Sequence, residues 1–398
     1  MDTRSTRTST QTPRSEVDGT PPSAPAPPTD RPAKAPPLAD AAGPRANPRP
    51  NSAPPLPDPA APSPPKSGPP VKAPEAWQPQ TLIPESKPVP SKGWRRVIFR
   101  VSGGTVNPGL NSAERQRRKL QSSIRRPLTG RAAERIAIVS TKGGVGKTTT
   151  TLMLGHTLAL ERGDRVVALD ANPDFGTLGY RVTPDSHRTV RDLLDAIEDV
   201  HWYPEVRAYT TQASSRLEVL CGDADPAVSE AFTADDYRTV MNVLAHNYNV
   251  ALTDCGTGVL HDAMSAVLGT ATQLVVVTGP AVDQARHADH LIRWLQKHAA
   301  GGLVADAIVV VNASRNDVPV DMEAMVQHFG SLVRSVIEIP YDPVLAAGGI
   351  DGLDRLDRAT QDAYLRLAAE VAGGFGKFGT PLPRRVSGRS MRNRLQRH

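Results

Sequence analysis

An apolar run, Arg135-Ile-Ala-Ile-Val-Ser140, feeds directly into Thr141-Lys-Gly-Gly-Val-Gly-Lys-Thr-Thr-Thr150, and a helix-forming segment follows. Gly143, Gly144 and Gly146 let backbone N–H groups turn inward around a phosphate chain, and the N-terminus of the next helix adds the positive end of its dipole. Lys147 supplies a point charge for the β- and γ-phosphates, and Thr148 a hydroxyl ligand for Mg²⁺. The general phosphate-loop pattern asks for Gly where this chain has Thr141, so the match rests on Gly146-Lys147-Thr148 and the internal glycines. A glycine-rich turn alone is an ordinary strand-to-helix loop. Gly-Lys-Thr between a buried strand and a helix makes it a nucleotide site.

Such a loop needs a sheet behind it. Further apolar runs lie at 166–170, 217–221, 250–254, 274–278, 307–312 and 336–339, and helical patterns fill 148–162, 190–199, 235–247, 282–298 and 322–329. Strands apolar at every position are buried on both faces, which requires a mainly parallel sheet with helices on either side. The expected fold is therefore α/β, a doubly wound sheet, over residues 132–380.

Composition sets what surrounds that domain. Of the 38 prolines, 26 fall in residues 1–90, a stretch with too little apolar surface to offset the entropy of ordering, so a disordered proline-rich arm is expected there. Residues 92–131 carry eleven Lys/Arg against one acid, residues 381–398 six Arg and no acid, and residues 132–380 hold 20 basic against 32 acidic side chains. An acidic domain with basic flanks attracts nucleic acid, anionic lipid or an acidic partner to those flanks. Within 91–131, Trp94, Val97, Ile98 and Val101 have helical spacing with arginines between them, and a second basic helix is expected from about Ala113 to Arg126 with Leu120 and Ile124 on one face. This connector either packs on the domain or docks lipid or a partner. Cys221 and Cys255 are the only cysteines, which argues against a disulfide framework. With no apolar stretch of membrane-span length and no secretory h-region, the expected location is cytoplasmic, with recruitment to the inner face of the membrane open.

Lys142-Gly-Gly-Val-Gly-Lys147-Thr148-Thr149 resembles the deviant Walker A motif of MinD/ParA-family ATPases, and the resemblance extends over about 133–372. It implies that the lysine matching Lys142 reaches the nucleotide of a second subunit, so that ATP holds a homodimer together. It further implies that residues 142–149 bind the phosphates, with Lys142 and Lys147 serving catalysis. Asp170-Ala-Asn172-Pro-Asp174 is similar to the family's Asp-x-Asp-Pro switch, and Asp254-Cys-Gly-Thr-Gly258 to its Asp-x-Pro-x-Gly switch. Taken singly, each Asp is more often a helix cap or turn residue. Their order after the phosphate loop identifies Asp170 and Asp254, with Thr148, as the magnesium residues. Asn312 is similar to the strand-end Asn that recognises adenine, and Ile339-Pro340 to the loop beside the base. Two departures stand out. Asn172 replaces the acid that orients water, and an amide cannot act as a carboxylate base, so slow hydrolysis is expected unless Asp174 substitutes. Gly256 replaces the second switch's proline.

Fold alone does not choose a cellular role. The proline-rich arm, the Gly-Trp-Arg-Arg segment and the Asn-Pro-Gly turn before the ATPase are similar to proline-rich MinD-like proteins of actinobacterial type VII (ESX) secretion, implying an accessory ATPase whose arm binds secretion components. A ParA-type partition ATPase binding DNA non-specifically is the second reading. A MinD-like membrane switch is the third. Its usual C-terminal amphipathic helix is poorly matched by the tail from Arg384 to His398, whose apolar residues are only Val386, Met391 and Leu395, which leaves Trp94 to Val101 as the candidate.

Overall fold

The computed structural model describes residues 94–378 except 104, 108, 129–131, 173–175, 183–185, 187, 224–231, 257–261, 299–300, 314–320 and 349–351. The proline-rich arm, the basic tail and Asp174 lie outside the described residues.

In chain order the strands are β1 (Glu134–Val139), β2 (Val166–Ala171), β3 (Thr211–Gln212), β4 (Glu218–Leu220), β5 (Val250–Cys255), β6 (Gln273–Thr278), β7 (Ile308–Asn312) and β8 (Ser335–Ile339). Helices α1 (Trp94–Val101), α2 (Ser112–Ile124) and α3 (Lys147–Glu161) are followed by α4 (Val190–Asp195), α5 (Tyr203–Arg207) and α6 (Ala234–Asn247). Then come α7 (Asp262–Thr270), α8 (Val282–His298), α9 (Gly301–Ala305), α10 (Met322–Gly330), α11 (Pro343–Ala347) and α12 (Arg358–Gly373). The strands form one eight-stranded sheet in the order β3-β4-β2-β5-β1-β6-β7-β8. Every pairing is parallel except β3 with β4. The doubly wound fold read from the continuous apolar runs is thus the observed one. Two-residue β3 is too short to leave a pattern in the sequence.

Alternation along each strand divides the core in two. On β1, Ile136 and Ile138 enter one apolar layer with Leu152 and Leu154 of α3 and Leu367 of α12. Ala137 and Val139 enter the other, with Val240 and Leu244 of α6 and Leu291 of α8. Both faces of the sheet being covered is why the runs carry no polar alternation.

The two connector helices behave differently. Asn111 caps α2 through a reciprocal bond pair with Glu114. Ile124 is fully buried, with Leu120 packed against the same layer. Gln121 and Arg125 each hold Glu161 of α3 at 2.8 Å, and Arg117 pairs with Asp362 of α12. So α2 is packed on the domain, whereas α1 buries none of its residues.

Candidate nucleotide-binding site

Strand order reverses at β1, and in open α/β sheets ligands bind beyond the carboxyl ends of the strands at such a switch point. There the chain leaves Val139 and winds through residues 140–146 into α3, with Gly144 at φ +75° and Gly146 at φ +87°. Gly146 is also the N-cap of α3, where a Cβ would sit 2.6 Å from Asn312 Nδ2. Both the positive φ and the close approach therefore require glycine.

Neighbouring strands bring the two switch acids together. β2 and β5 pair with Asp170 opposite Asp254. Lys147 Nζ lies 2.8 Å from Asp254 Oδ1, and Thr148 Oγ1 donates to Asp254 Oδ2 at 2.7 Å. The Lys147 and Asp254 side chains are only 8% and 1% exposed. Charges withdrawn this far from water require each other. Asp170 is as deeply placed and accepts from the backbone N–H of Leu178 at 3.0 Å and of Asn172 at 3.2 Å. Burial, and next the Asp254 carboxylate, push its pKa up to about 7. A Cβ on Gly176 would approach Asp170 Oδ2 to 2.6 Å, so this glycine lets the loop close over the carboxylate. The Thr148 hydroxyl and the Asp254 carboxylate, with Asp170 on the neighbouring strand, are oxygen donors of the kind that Mg²⁺ takes.

A cleft of about 510 Å³ opens above this floor, a volume within the range of small-molecule sites. Lys142, Gly143, Gly144, Val145, Gly146, Lys147, Thr148, Thr149, Asn172 and Asn312 all line it, so the structure gathers these sequence candidates in one place. Ala313, Ile339, Pro340 and Leu345 make its apolar end. Asp170 lies aside, at a smaller recess shared with Asn172 and Gly222.

Three candidates have protein partners that no spacing in the chain marks. Lys142 forms an ion pair with Asp283 in the first turn of α8. Thr149 Oγ1 accepts from Arg181 Nη1 at 2.7 Å. Asn312 donates Nδ2 to Val145 O at 2.8 Å and to Thr150 Oγ1 at 3.1 Å, bracing β7 against the phosphate loop. Arg181 and Asp283 each act across the fold rather than along the chain, which is why sequence reasoning passes over them.

Comparison with known proteins agrees with this geometry. Residues 136–353 match the family described as CobQ/CobB/MinD/ParA nucleotide binding domain. The ESX-1 secretion-associated protein EspI of Mycobacterium tuberculosis is 34% identical over 296 residues, covering 74% of this chain and 44% of that protein. The chain thus spans less than half the length of this relative. Septum site-determining protein MinD of Bacillus subtilis is 27% identical over 248 residues, covering 60% of this chain and 89% of that one. A solved ParA family ATPase from Chlorobium tepidum superposes with a TM-score of 0.52 at 18% identity, over 60% of this chain and 98% of that one, which shows the shared fold. With the glycine-rich loop, the paired switch strands and the sequence match all falling on one segment, the chain belongs to the CobQ/CobB/MinD/ParA nucleotide-binding domain family.

Proposed function

We propose that this chain is an ATP-driven switch: it binds Mg-ATP in the cleft above β1, forms a homodimer around the nucleotide and hydrolyses ATP slowly. The observation that carries the proposal is the cluster of buried Lys147 and Asp254 with half-buried Thr148, joined by contacts of 2.8 and 2.7 Å at the glycine-wrapped loop. Lys147 and the loop amides would hold the phosphates, and Thr148, Asp254 and Asp170 would hold Mg²⁺ and its water shell. The cation neutralises charge that develops between the β- and γ-phosphates. Asn172 at the cleft wall would position water by hydrogen bonding alone, the reason for slow turnover. Lys142, more exposed than Lys147, would serve the dimer. Calorimetry of the full chain with ATP and Mg²⁺ tests the core of this reading: no measurable affinity for ATP or ADP would remove it.

At the cellular level the chain acts as an accessory ATPase of a type VII (ESX) secretion system, with its proline-rich arm recruiting secretion components. The support is the 34% identity to an ESX-1 secretion-associated protein over 74% of the chain. Affinity capture of secretion components by the full chain, lost when residues 1–90 are deleted, is the expected result. DNA retention that requires ATP and disappears at moderate salt, with no such capture, would instead support a partition ATPase.

A further inference from the structure

Helix α1 presents its apolar side outward. On a wheel of 3.6 residues per turn, Trp94, Val97, Ile98 and Val101 fall within an arc of about 100°, the stripe that a surface helix ordinarily turns toward its core. Here Trp94 is 64% exposed, Val97 60% and Val101 83%. The residues turned inward are Arg95 and Phe99, both half-buried. Arg95 Nη1 donates to the Leu110 carbonyl at 3.2 Å, and Leu110 itself is buried, so an arginine rather than the apolar stripe fastens the helix to the connector. Val106, just past the helix, is also exposed.

We propose that α1 is a docking element for an anionic membrane surface, with the stripe entering the headgroup boundary and the outward-facing Arg96 and Arg100 meeting lipid phosphates. Charge selects this occupant. The helix carries Arg95, Arg96 and Arg100 and no acid, and residues 92–131 hold eleven Lys/Arg against one acid. Long arginine side chains keep their charge in the polar layer while their stems lie beside apolar groups, and an indole suits the same boundary. The chain's own tail is excluded as a cover for the stripe because its six arginines would face like charge. Size argues against a protein partner. A two-turn helix is about 12 Å long, so its stripe alone supplies only part of the roughly 800 Å² per side of a specific protein interface. A bilayer instead accepts a small wedge and adds the attraction of each nearby cation. No described residue of α1 lines the nucleotide cleft, so the inference stands independently of the nucleotide reading.

The test is flotation of the full chain with vesicles of phosphatidylglycerol and phosphatidylcholine in equal parts, against vesicles of phosphatidylcholine alone. The wild-type chain should float with the anionic vesicles only and should be released by raised salt. Val97→Asp together with Val101→Asp should reduce the floated fraction by about tenfold or more, and Arg96→Glu with Arg100→Glu should do the same. Because these side chains are exposed, an unchanged melting temperature identifies loss of docking rather than loss of fold. Failure of the wild-type chain to float, or flotation that survives Val97→Asp/Val101→Asp, overturns the proposal. So does light scattering that shows the same double substitution abolishing self-association while vesicles bind neither form, because the stripe would then join copies of the chain.

Discussion

Among single residues, Lys147 has the largest consequences, because it is the charge partner of Asp254 and the proposed phosphate ligand. Lys147→Ala is expected to abolish Mg-ATP binding in calorimetry. It should also lower unfolding stability in urea by about 3–5 kcal/mol, since it strands a buried carboxylate. Asp254→Asn added to the same chain should recover part of that stability without recovering binding, which separates the structural loss from the functional one. Asn172 concerns rate rather than affinity. Restoring a carboxylate with Asn172→Asp should raise steady-state ATP turnover by about tenfold or more, with little change in ATP affinity. A flat rate would move the water-orienting role to Asp174.

The elements differ in what they owe to burial. Helix α2 is polar over most of its length and holds its place through Ile124, Leu120 and the ion pairs to α3 and α12. Exposed pairs add little, so the apolar anchor should dominate. Ile124→Ala is expected to cost about 2–5 kcal/mol in chemical denaturation, whereas Leu120, only partly buried, should cost less. Helix α1, with no buried residue, should tolerate substitution of its stripe with no shift in melting temperature. The connector is therefore two devices in series: one helix fixed to the domain and one turned outward.

For the molecule as a whole, the proposed ATP-linked dimer turns on Lys142. Lys142 and its partner Asp283 are 39% and 58% exposed, so the pair contributes little to stability and can be exchanged at small cost for another anion. Lys142→Ala should leave the melting temperature and ATP affinity nearly unchanged. It should abolish the ATP-dependent rise in mass seen by sedimentation and depress turnover with it. An ATP-linked dimer that persists in this variant would assign Lys142 to the α8 contact alone. Together with α1, dimerisation would double the apolar and basic surface offered to a membrane, so lipid binding should strengthen when ATP is bound.

The glycine-rich loop was legible because its geometry is local: three glycines, Lys147 and Thr148 lie within one turn, and the steric demand of that turn is written in adjacent letters. The parallel sheet was legible too, since strands buried on both faces must be apolar throughout. What the chain's order could not state is anything fixed by distance across the fold. The Asp170–Asp254 pairing follows from β2 lying beside β5, Arg181 reaches Thr149 from a loop, and Asp283 meets Lys142 from the start of α8. The clearest case is α1 against α2. Both carry arginines around an apolar stripe, and periodicity alone allows either face to be buried. Only the packed structure decided that Ile124 turns in and Trp94, Val97 and Val101 turn out, because burial is set by which surfaces the rest of the chain leaves available.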